Sequence, residues 1–267
     1  MLWQFCLSLA YLLERGPVSE EPLAPPSLRI PLQIKYHGPQ SSEDMGEAYR
    51  ALYSENDMIL PKGFSNGGMG DTRYRWPGYP GAALVPYEID ESLYEQRGLI
   101  ERAMNQFHQH TCVRFVPRTS ESDYVRIRRG NSCKSVVGRN SGEQELILDD
   151  GCMYIGTIVH ELGHTIGMLH EHQRSDRDSY LTIYNENIEE GQEDSFSKIP
   201  SELEASLSSF NHNSIMMYGN YAYSKQPGDL KTMESKNGAE LIDPFQKSGL
   251  HHKDIEQINR LYQCRRQ

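Results

Sequence analysis

Apolar residues recur at helical spacing in three segments of the chain. In residues 92–110 they fall three or four positions apart, and Ser92 is a candidate N-cap, so the pattern predicts a helix. Residues 154–168 and 253–262 predict two further helices on the same ground. Short apolar runs between polar, glycine-rich turns predict strands at residues 113–116, 124–127 and 146–148.

Two segments lack this periodicity. Residues 14–50 are rich in Pro, Ser and Glu, which predicts an extended and weakly structured leader. Residues 61–81 are crowded with Gly and Pro, which predicts a linker. We therefore expect one compact domain from about Trp76 to the end of the chain, with an irregular stretch over residues 181–250.

Composition and charge narrow the class of protein. The chain has 267 residues, of which 37% are hydrophobic and 24% charged, as in globular proteins. Its formal net charge of −10 argues against nucleic-acid binding. Residues 1–13 are mostly apolar and form a possible secretory signal segment. The sequence has no apolar run long enough to span a bilayer, so we expect no stable membrane insertion.

Four cysteines lie outside that first segment: Cys112, Cys133, Cys152 and Cys264. An even set predicts two disulfides and an oxidising compartment. Spacing alone leaves all three possible connectivities open. Four free thiols in a cytosolic protein are the alternative.

The second predicted helix carries a metal-site motif. His160 and His164 are four residues apart and therefore lie on one helix face, where both imidazoles can reach one zinc ion. Glu161 can reach zinc-bound water without being a ligand. Gly167 permits a left-handed turn that ends the helix and returns the chain, so His170 becomes a third ligand. Three imidazoles leave a coordination position open, which is typical of catalytic zinc. Histidines that only cap and pack a helix are the alternative.

The run HELGHTIGMLHEHQRSDRDSY over residues 160–180 resembles the signature of the astacin zinc endopeptidases, a family of metzincins. Glu171, directly after the third histidine, is characteristic of astacins. Residues 214–219 resemble the family's Met-turn, although Met217 stands where the family usually has His. The resemblance extends over residues 76–264. It implies an α+β fold, with a twisted mixed sheet and the active-site helix in an N-terminal subdomain and an irregular C-terminal subdomain with a final helix.

The resemblance also implies the roles of individual residues. One zinc ion per chain is held by the three histidines, and Met216 lies beneath them as a hydrophobic base. Tyr218 matches an additional zinc ligand whose phenol swings away to bind the transition state. Glu161 is the general base in the hydrolysis of peptide bonds by water that zinc activates. The implied disulfides are Cys112–Cys264 and Cys133–Cys152.

Astacins are kept latent by a prosegment aspartate that takes the place of water on zinc. The nearest match is Ser-Glu-Asn-Asp-Met-Ile-Leu over residues 54–60, which makes Asp57 the first candidate switch and Asp71 the second. The expected organisation is a possible signal segment at 1–13, a prosegment at 14–64 and a catalytic domain at 65–267. Cleavage near residues 62–66 would let the new amino terminus fold toward Glu171. A surface salt bridge from Glu171 to Arg174 or Arg177 is the alternative.

Protein or peptide substrates are expected to lie extended against an edge strand near residues 145–148. The alternative is that this strand is an ordinary solvated edge without a role in binding. Pro244 is a candidate wall of the pocket for the residue after the cut, and a simple turn residue is the alternative. The leading function is a secreted zinc endopeptidase made as a latent precursor. A catalytically inactive astacin-like binding module and a zinc protein that uses the fold for recognition are the alternatives. Substrate identity and oligomeric state stay open.

Overall fold

The computed structural model describes residues 41–53, 56–64, 68–205 and 208–265, so the possible signal segment at 1–13 lies outside the described residues. The helices are α1 Ser42–Leu52, α2 Arg97–His110, α3 Ile155–Thr165 and α4 His252–Leu261. The strands are β1 Met58–Ile59, β2 Ala83–Ile89, β3 Val113–Pro117, β4 Tyr124–Arg129, β5 Lys134–Val136, β6 Glu143–Leu148, β7 Leu181–Ile183 and β8 Met233–Ser235. Among these helices, none combines the length and apolar character that a membrane crossing requires.

Six strands form a mixed sheet in the order β1-β5-β6-β4-β2-β3. Neighbouring strands are parallel except for the antiparallel pair β5 and β6. Helix α3 packs against α2, β5 and β6. The remaining strands, β7 and β8, form a small antiparallel ladder within an otherwise irregular region that precedes α4. This arrangement confirms the predicted α+β class.

The first long helix begins later than its apolar pattern predicts. Residues Glu91–Gln96 form 3-10 turns, and the regular helix starts at Arg97. Asp90, rather than Ser92, supplies the cap, because its carboxylate accepts the backbone N–H of Ser92 at 3.1 Å. Leu93 has a non-helical backbone that interrupts these turns. The predicted apolar face of α2 is confirmed, since Ile100, Ala103, Met104 and Phe107 are buried.

The sequence predicts an extended and weakly structured leader over residues 14–50. That prediction is wrong over residues 42–50, which lie in helix α1. Ser41 caps α1 by accepting the backbone N–H of Asp44 at 3.0 Å. A helix this short is marginal in isolation. It gains stability here because Ala48, Ala51 and Leu52 are buried in the main apolar core. Residues 42–52 are also mostly good helix formers, so the Pro-rich composition of residues 14–50 as a whole hid a local helix signal.

The described residues of the predicted linker, 61–64 and 68–81, include buried positions. Single 3-10 turns occupy Gly68–Gly70 and Thr72–Tyr74. The side chains of Met69 and Trp76 are fully buried. Most of the glycines and prolines lie at exposed or half-buried positions between these buried side chains, so the segment is anchored to the core and is not a free spacer.

The end of α3 at Thr165 is held by side chains from both ends of the compact region. The Trp76 indole N–H donates to the carbonyl of Thr165 at 2.7 Å. The hydroxyl of Tyr262, just after α4, donates to the carbonyl of Ile166 at 2.9 Å. These bonds satisfy carbonyls that a helix end leaves without partners. The predicted continuation of the helix to residue 168 is therefore replaced by a turn at Gly167, which has φ +97°.

The strand over residues 145–148 is not at the edge of the sheet. β6 lies between β4 and β5, so its backbone groups already have strand partners on both sides. The strand β5 lies next to the edge, and β1 covers it. The backbone N–H groups of Ser135 and Val137 donate to the carbonyls of Asp57 and Ile59 at 2.8 and 2.9 Å.

Two disulfides are present, Cys112–Cys264 and Cys133–Cys152, and these are the pairings that the family resemblance implies. The first joins the residue before β3 to the segment after α4 and spans a sequence separation of 152. The second joins the residue before β5 to the turn before α3 and spans a separation of 19. Loop closure therefore stabilises the fold on two very different length scales.

Removing the long-range disulfide is expected to destabilise the chain more than removing the short-range one. In the chain-entropy model the loops contribute about 4–5 and about 3 kcal/mol, because closing a longer loop removes more freedom from the unfolded chain. Urea unfolding of Cys112→Ser/Cys264→Ser and of Cys133→Ser/Cys152→Ser would measure both losses against the unmodified chain. An equal loss, or a larger loss for the short-range pair, would contradict this prediction.

Candidate active site

The three motif histidines converge on one point. His160 and His164 lie one turn apart on α3, and the left-handed turn at Gly167 brings His170 back beside them. All three side chains are buried. Their Nε2 atoms are 3.1 Å apart for His160 and His164, 3.1 Å for His164 and His170, and 3.4 Å for His160 and His170.

The second nitrogen of each ring fixes its tautomer. Each Nδ1 lies within hydrogen-bond distance of an oxygen: Ile215 carbonyl for His160 at 2.8 Å, Met168 carbonyl for His164 at 2.9 Å, and Gln173 Oε1 for His170 at 2.9 Å. Because these oxygens only accept, Nδ1 carries the proton and Nε2 keeps its lone pair. Three lone pairs directed at one point repel each other unless a cation lies between them.

This donor set fits zinc. A tetrahedral site with bonds of 2.0–2.1 Å has ligand separations of about 3.3–3.4 Å, close to the distances between the Nε2 atoms. Burial lowers the pKa of His160, and it lowers the pKa of His164 to about 4. The imidazoles of His160 and His164 therefore stay neutral at physiological pH, as metal ligation requires. The oxygen partners of Nδ1 orient the rings in the manner usual for zinc-binding histidines.

Asp57 completes the cluster from outside α3. Its Oδ2 lies 3.0 Å from Nε2 of His160, and its Oδ1 lies 3.2 Å from Nε2 of His170. These four residues form a group that can hold a metal ion within the described part of the chain.

Glu161 is buried next to the histidines, and neither of its carboxylate oxygens has a hydrogen-bond partner among the described residues. Burial raises the pKa of Glu161 well above its usual value, and the negative charge of Asp57 raises it further. An unpaired buried carboxyl group costs folding free energy. Its retention at this position therefore points to a chemical role.

The predicted base of the site is close to α3. A Cβ atom at Gly163 would lie 2.7 Å from Sδ of Met216, so the glycine lets this methionine pack directly against the helix. Sequence reasoning missed the residue that anchors the Met-turn at residues 214–219. That residue is Asp254, which lies on α4. Its carboxylate accepts the hydroxyl of Ser214 at 2.7 Å and the backbone N–H of Ile215 at 2.9 Å.

Tyr218 is buried between the histidines and the segment before Asp57. Its ring centroid lies 4.5 Å from that of His170 and 4.4 Å from that of His172. On the other side, the ring of Tyr53 meets it edge-on at 5.0 Å. Burial raises the pKa of Tyr218 well above its usual value, so the phenol keeps its proton and can donate a hydrogen bond.

Glu171 is buried and not at the surface. Its Oε1 accepts the backbone N–H of Asn211 at 2.7 Å and lies 3.2 Å from Nη1 of Arg174. Burial raises the pKa of Glu171 to about 7, although Arg174 opposes the shift. The alternative predicted for Glu171, a surface salt bridge to Arg174 or Arg177, is therefore wrong about the location. It is right that Arg174 is the partner. A small cavity beside Glu171 extends to Met69.

Two weaker candidates lie outside the histidine cluster. Pro244 is buried in a single 3-10 turn, and its carbonyl approaches α3 so closely that a Cβ at Gly156 would lie 2.0 Å away. Its part in a substrate pocket stays a prediction. Asp71 caps the turn at residues 72–74 and pairs with Arg73, so it is not among the residues grouped around the three imidazoles.

Comparisons with known proteins agree with this geometry. The family model of the astacin peptidases matches residues 69–263. The chain is 39% identical to astacin-like metalloprotease toxin 1 of Loxosceles intermedia over 213 residues, which is 79% of this chain and 80% of that protein. It is 36% identical to zinc metalloproteinase nas-4 of Caenorhabditis elegans over 225 residues, 79% of this chain and 69% of that protein.

A solved structure is similar in sequence and fold. High choriolytic enzyme 1, a hatching enzyme zinc-protease from Oryzias latipes, is 37% identical to this chain. The match covers 73% of this chain and 97% of that chain, with a TM-score of 0.68.

Replacing Gly167 by alanine is expected to weaken zinc binding by tenfold or more. The residue has φ +97°, which costs a residue with a Cβ about 1–2 kcal/mol, and the added Cβ would lie 2.1 Å from Cε of Met69. The strain would move His170 away from the other two ligands. Zinc titration with a competing chelator measures the affinity.

Gly228→Ala is the matched control, because Gly228 has φ +96° and nothing lies within 4 Å of the added Cβ. This variant should be mildly destabilised but should bind zinc as the unmodified chain does. Equal zinc affinities for the two variants would mean that the turn at Gly167 does not position His170.

Proposed function

This chain belongs to the astacin family and is a zinc metalloendopeptidase, and from that premise we propose that it is secreted, that it is made as a latent precursor, and that Glu161 is its general base. The observation that carries the catalytic part is the joint burial of three converging imidazoles and an unpaired carboxyl group. Such a set is suited to the hydrolysis of a peptide bond without a covalent intermediate.

Each residue has a separate task in the proposed reaction. Zinc, when held by His160, His164 and His170, supplies a Lewis acid that polarises the peptide carbonyl and activates water. Glu161 takes a proton from the attacking water and later delivers it to the nitrogen of the leaving amine. The phenol of Tyr218 donates a hydrogen bond to the oxygen that gains negative charge. Burial is the main cause of the raised pKa of Glu161, and loss of Asp57 on activation would remove the charge that adds to it.

The substrate is proposed to bind at β5, in place of β1. The backbone N–H groups of Ser135 and Val137 now donate to carbonyls of Asp57 and Ile59 in the segment that contains β1. Once that segment leaves, the same groups can bind the backbone of a protein substrate as an added strand.

Latency is proposed to rest on Asp57. Its carboxylate lies at the point where the three imidazoles converge, and it is fully buried. It therefore excludes the water that the reaction requires. Helix α1 and strand β1 hold Asp57 from both sides, because α1 packs into the main core and β1 pairs with β5.

Activation is proposed to divide the chain into a possible signal segment at 1–13, a prosegment at 14–64 and a catalytic domain at 65–267. Cleavage near residues 62–66 would free an amino terminus close to Met69, which lines the cavity beside Glu171. A buried carboxylate there can pair with the new amino group. Two disulfides support secretion, since they form and persist in oxidising compartments. The relatives named as a toxin and as a hatching enzyme support it too.

Glu161→Gln is expected to reduce kcat/KM by about 10²–10⁴, because the amide cannot accept a proton. Zinc binding should persist, since the three histidines are unchanged. The assay is cleavage of a denatured protein by the processed enzyme, with zinc content measured on the same preparation and a chelator as a second control. Zinc-loaded wild-type protein that cleaves no substrate would support the binding-module alternative, and cleavage by Glu161→Gln at the wild-type rate would rule out the assigned base.

Asp57→Ala is expected to give the unprocessed chain at least tenfold more activity than the wild-type precursor, because water gains access to the histidine cluster. Asp71→Ala is the control, since Asp71 is a second acidic residue near the processing region that pairs only locally with Arg73. Hydrolysis of a fluorogenic peptide would be followed while electrophoresis checks that the chain stays intact. An active Asp71→Ala precursor would refute the proposed switch, and so would equal inhibition of the processed enzyme by a peptide of residues 41–60 and by its Asp57→Ala variant, in which β1 and Tyr53 are unchanged.

A further inference from the structure

A second side chain of the prosegment is inserted beside the catalytic centre. Tyr53 directly follows α1 and is buried. Its ring packs edge-on against Tyr218 at 5.0 Å and lies 4.9 Å from the ring of Tyr223. Its hydroxyl donates a hydrogen bond to Oδ1 of Asp243, a carboxylate far along the chain in the part assigned to the mature enzyme.

The acceptor is held by the catalytic part of the chain and not by the prosegment. Oδ1 of Asp243 also accepts the backbone N–H of Gly219 at 2.7 Å. Asp243 and Gln246 form a reciprocal capping box around the 3-10 turn at Pro244–Gln246. A Cβ at Gly219 would lie 2.5 Å from Oδ1, so the missing side chain of this glycine lets the carboxylate come close. Asp243 would therefore stay in position when residues 41–60 leave.

The side chain of Tyr53 occupies a slot between Tyr218, Tyr223 and Asp243. When Tyr53 leaves, the slot no longer contains its hydroxyl donor. Two tyrosine rings, Tyr218 and Tyr223, would line it, and the carboxylate of Asp243 would lose one of its donors. Oδ1 would keep the N–H of Gly219 but lose the hydroxyl of Tyr53, and the loss of a donor to a carboxylate costs free energy. A substrate side chain that brings a donor to the same place removes that cost, whereas an apolar side chain of equal size does not.

The residues around the slot also favour a substrate side chain that ends in a hydrogen-bond donor. An open groove continues from Asp243 along the side of α1, and its lining includes Glu189 and Glu240. Lys247, buried nearby and bonded to the carbonyls of Ser214 and Met217, offsets part of the charge of Asp243. The two glutamates of the groove have no such counter-charge in its lining once α1 leaves, so the groove disfavours a carboxylate on the substrate and favours a cation. The order of the chain also locates the slot relative to the scissile bond. Tyr53 precedes Asp57, which lies among the histidines, whereas the residues after Asp57 pair with β5.

We propose that Asp243 is a specificity-determining residue of the mature enzyme, selecting a long or aromatic substrate side chain that ends in a hydrogen-bond donor. Tyrosine, lysine and arginine fulfil this condition, and aspartate and glutamate do not. The selected residue lies next to the scissile bond, in the part of the substrate that does not pair with β5. Tyr53 then inhibits by occupying the same slot. The proposal rests on the proposed proteolytic function and adds to it the class of substrate.

The test compares matched peptides on the processed, zinc-loaded enzyme. Peptides that differ only at the selected position carry tyrosine or phenylalanine, lysine or methionine, and glutamate or glutamine. We expect kcat/KM to favour tyrosine and lysine by tenfold or more, and glutamine over glutamate. In Asp243→Asn, the preference for lysine over methionine should fall by tenfold or more. Because each ratio is taken on one enzyme preparation, a loss of folded protein cancels.

Asp178→Asn is the matched control, since Asp178 pairs with Arg177 and Lys198 at the surface and should leave every ratio unchanged. Equal rates for tyrosine and phenylalanine, a preference for glutamate, or an unchanged lysine preference in Asp243→Asn would each overturn the proposal.

A binding measurement keeps this inference separate from the proposed function. A synthetic peptide of residues 41–60 and its Tyr53→Phe variant are titrated against the processed chain. We expect the variant to bind at least fivefold more weakly, because only the hydroxyl is lost. If no peptide is cleaved but the hydroxyl still strengthens binding, the slot is supported and the proteolytic function fails. Equal affinities in this titration would refute the slot, whatever the enzyme cleaves.

Discussion

A helix that carries two metal ligands must stop within about one turn if a third ligand from the same segment is to return to the metal. Helix α3 stops because Gly167 adopts a left-handed conformation and because Trp76 and Tyr262 bond the last carbonyls. Those two side chains come from opposite ends of the compact region. The position of His170 therefore depends on the folding of the whole catalytic part, and the metal site is coupled to global stability.

The segment that precedes the catalytic part makes three kinds of contact at the active site. Asp57 lies among the imidazoles, β1 pairs with β5, and Tyr53 fills a slot that ends at Asp243. In the proposed scheme each contact takes the place of a different component of catalysis, namely water, the substrate backbone and a substrate side chain. Latency then needs no distortion of the zinc ligands, and activation needs only the departure of the segment.

Features set by local spacing were predictable from the sequence. The histidine ligands, their glycine turn and the apolar face of α2 each follow from a short motif or a period that does not depend on distant contacts. Helix α1 escaped prediction because the Pro-rich residues before it dominate the composition of residues 14–50, although its own residues favour a helix and Ala48 and Leu52 are buried in the core. Strand β5 is too short to show a period. The contact between Tyr53 and Asp243 joins positions far apart in sequence and carries no local pattern at all.

The covalent continuity between α1 and the catalytic part has a consequence for control after activation. While the chain is intact, the segment faces its binding surface at an effective concentration in the millimolar range, as for any short tether. Cleavage makes it a separate peptide, whose occupancy then depends on how much of it is present in the surroundings. In the proposed scheme, contacts that silence a precursor would leave a dilute population of processed enzyme almost free, while a crowded compartment would retain part of the inhibition.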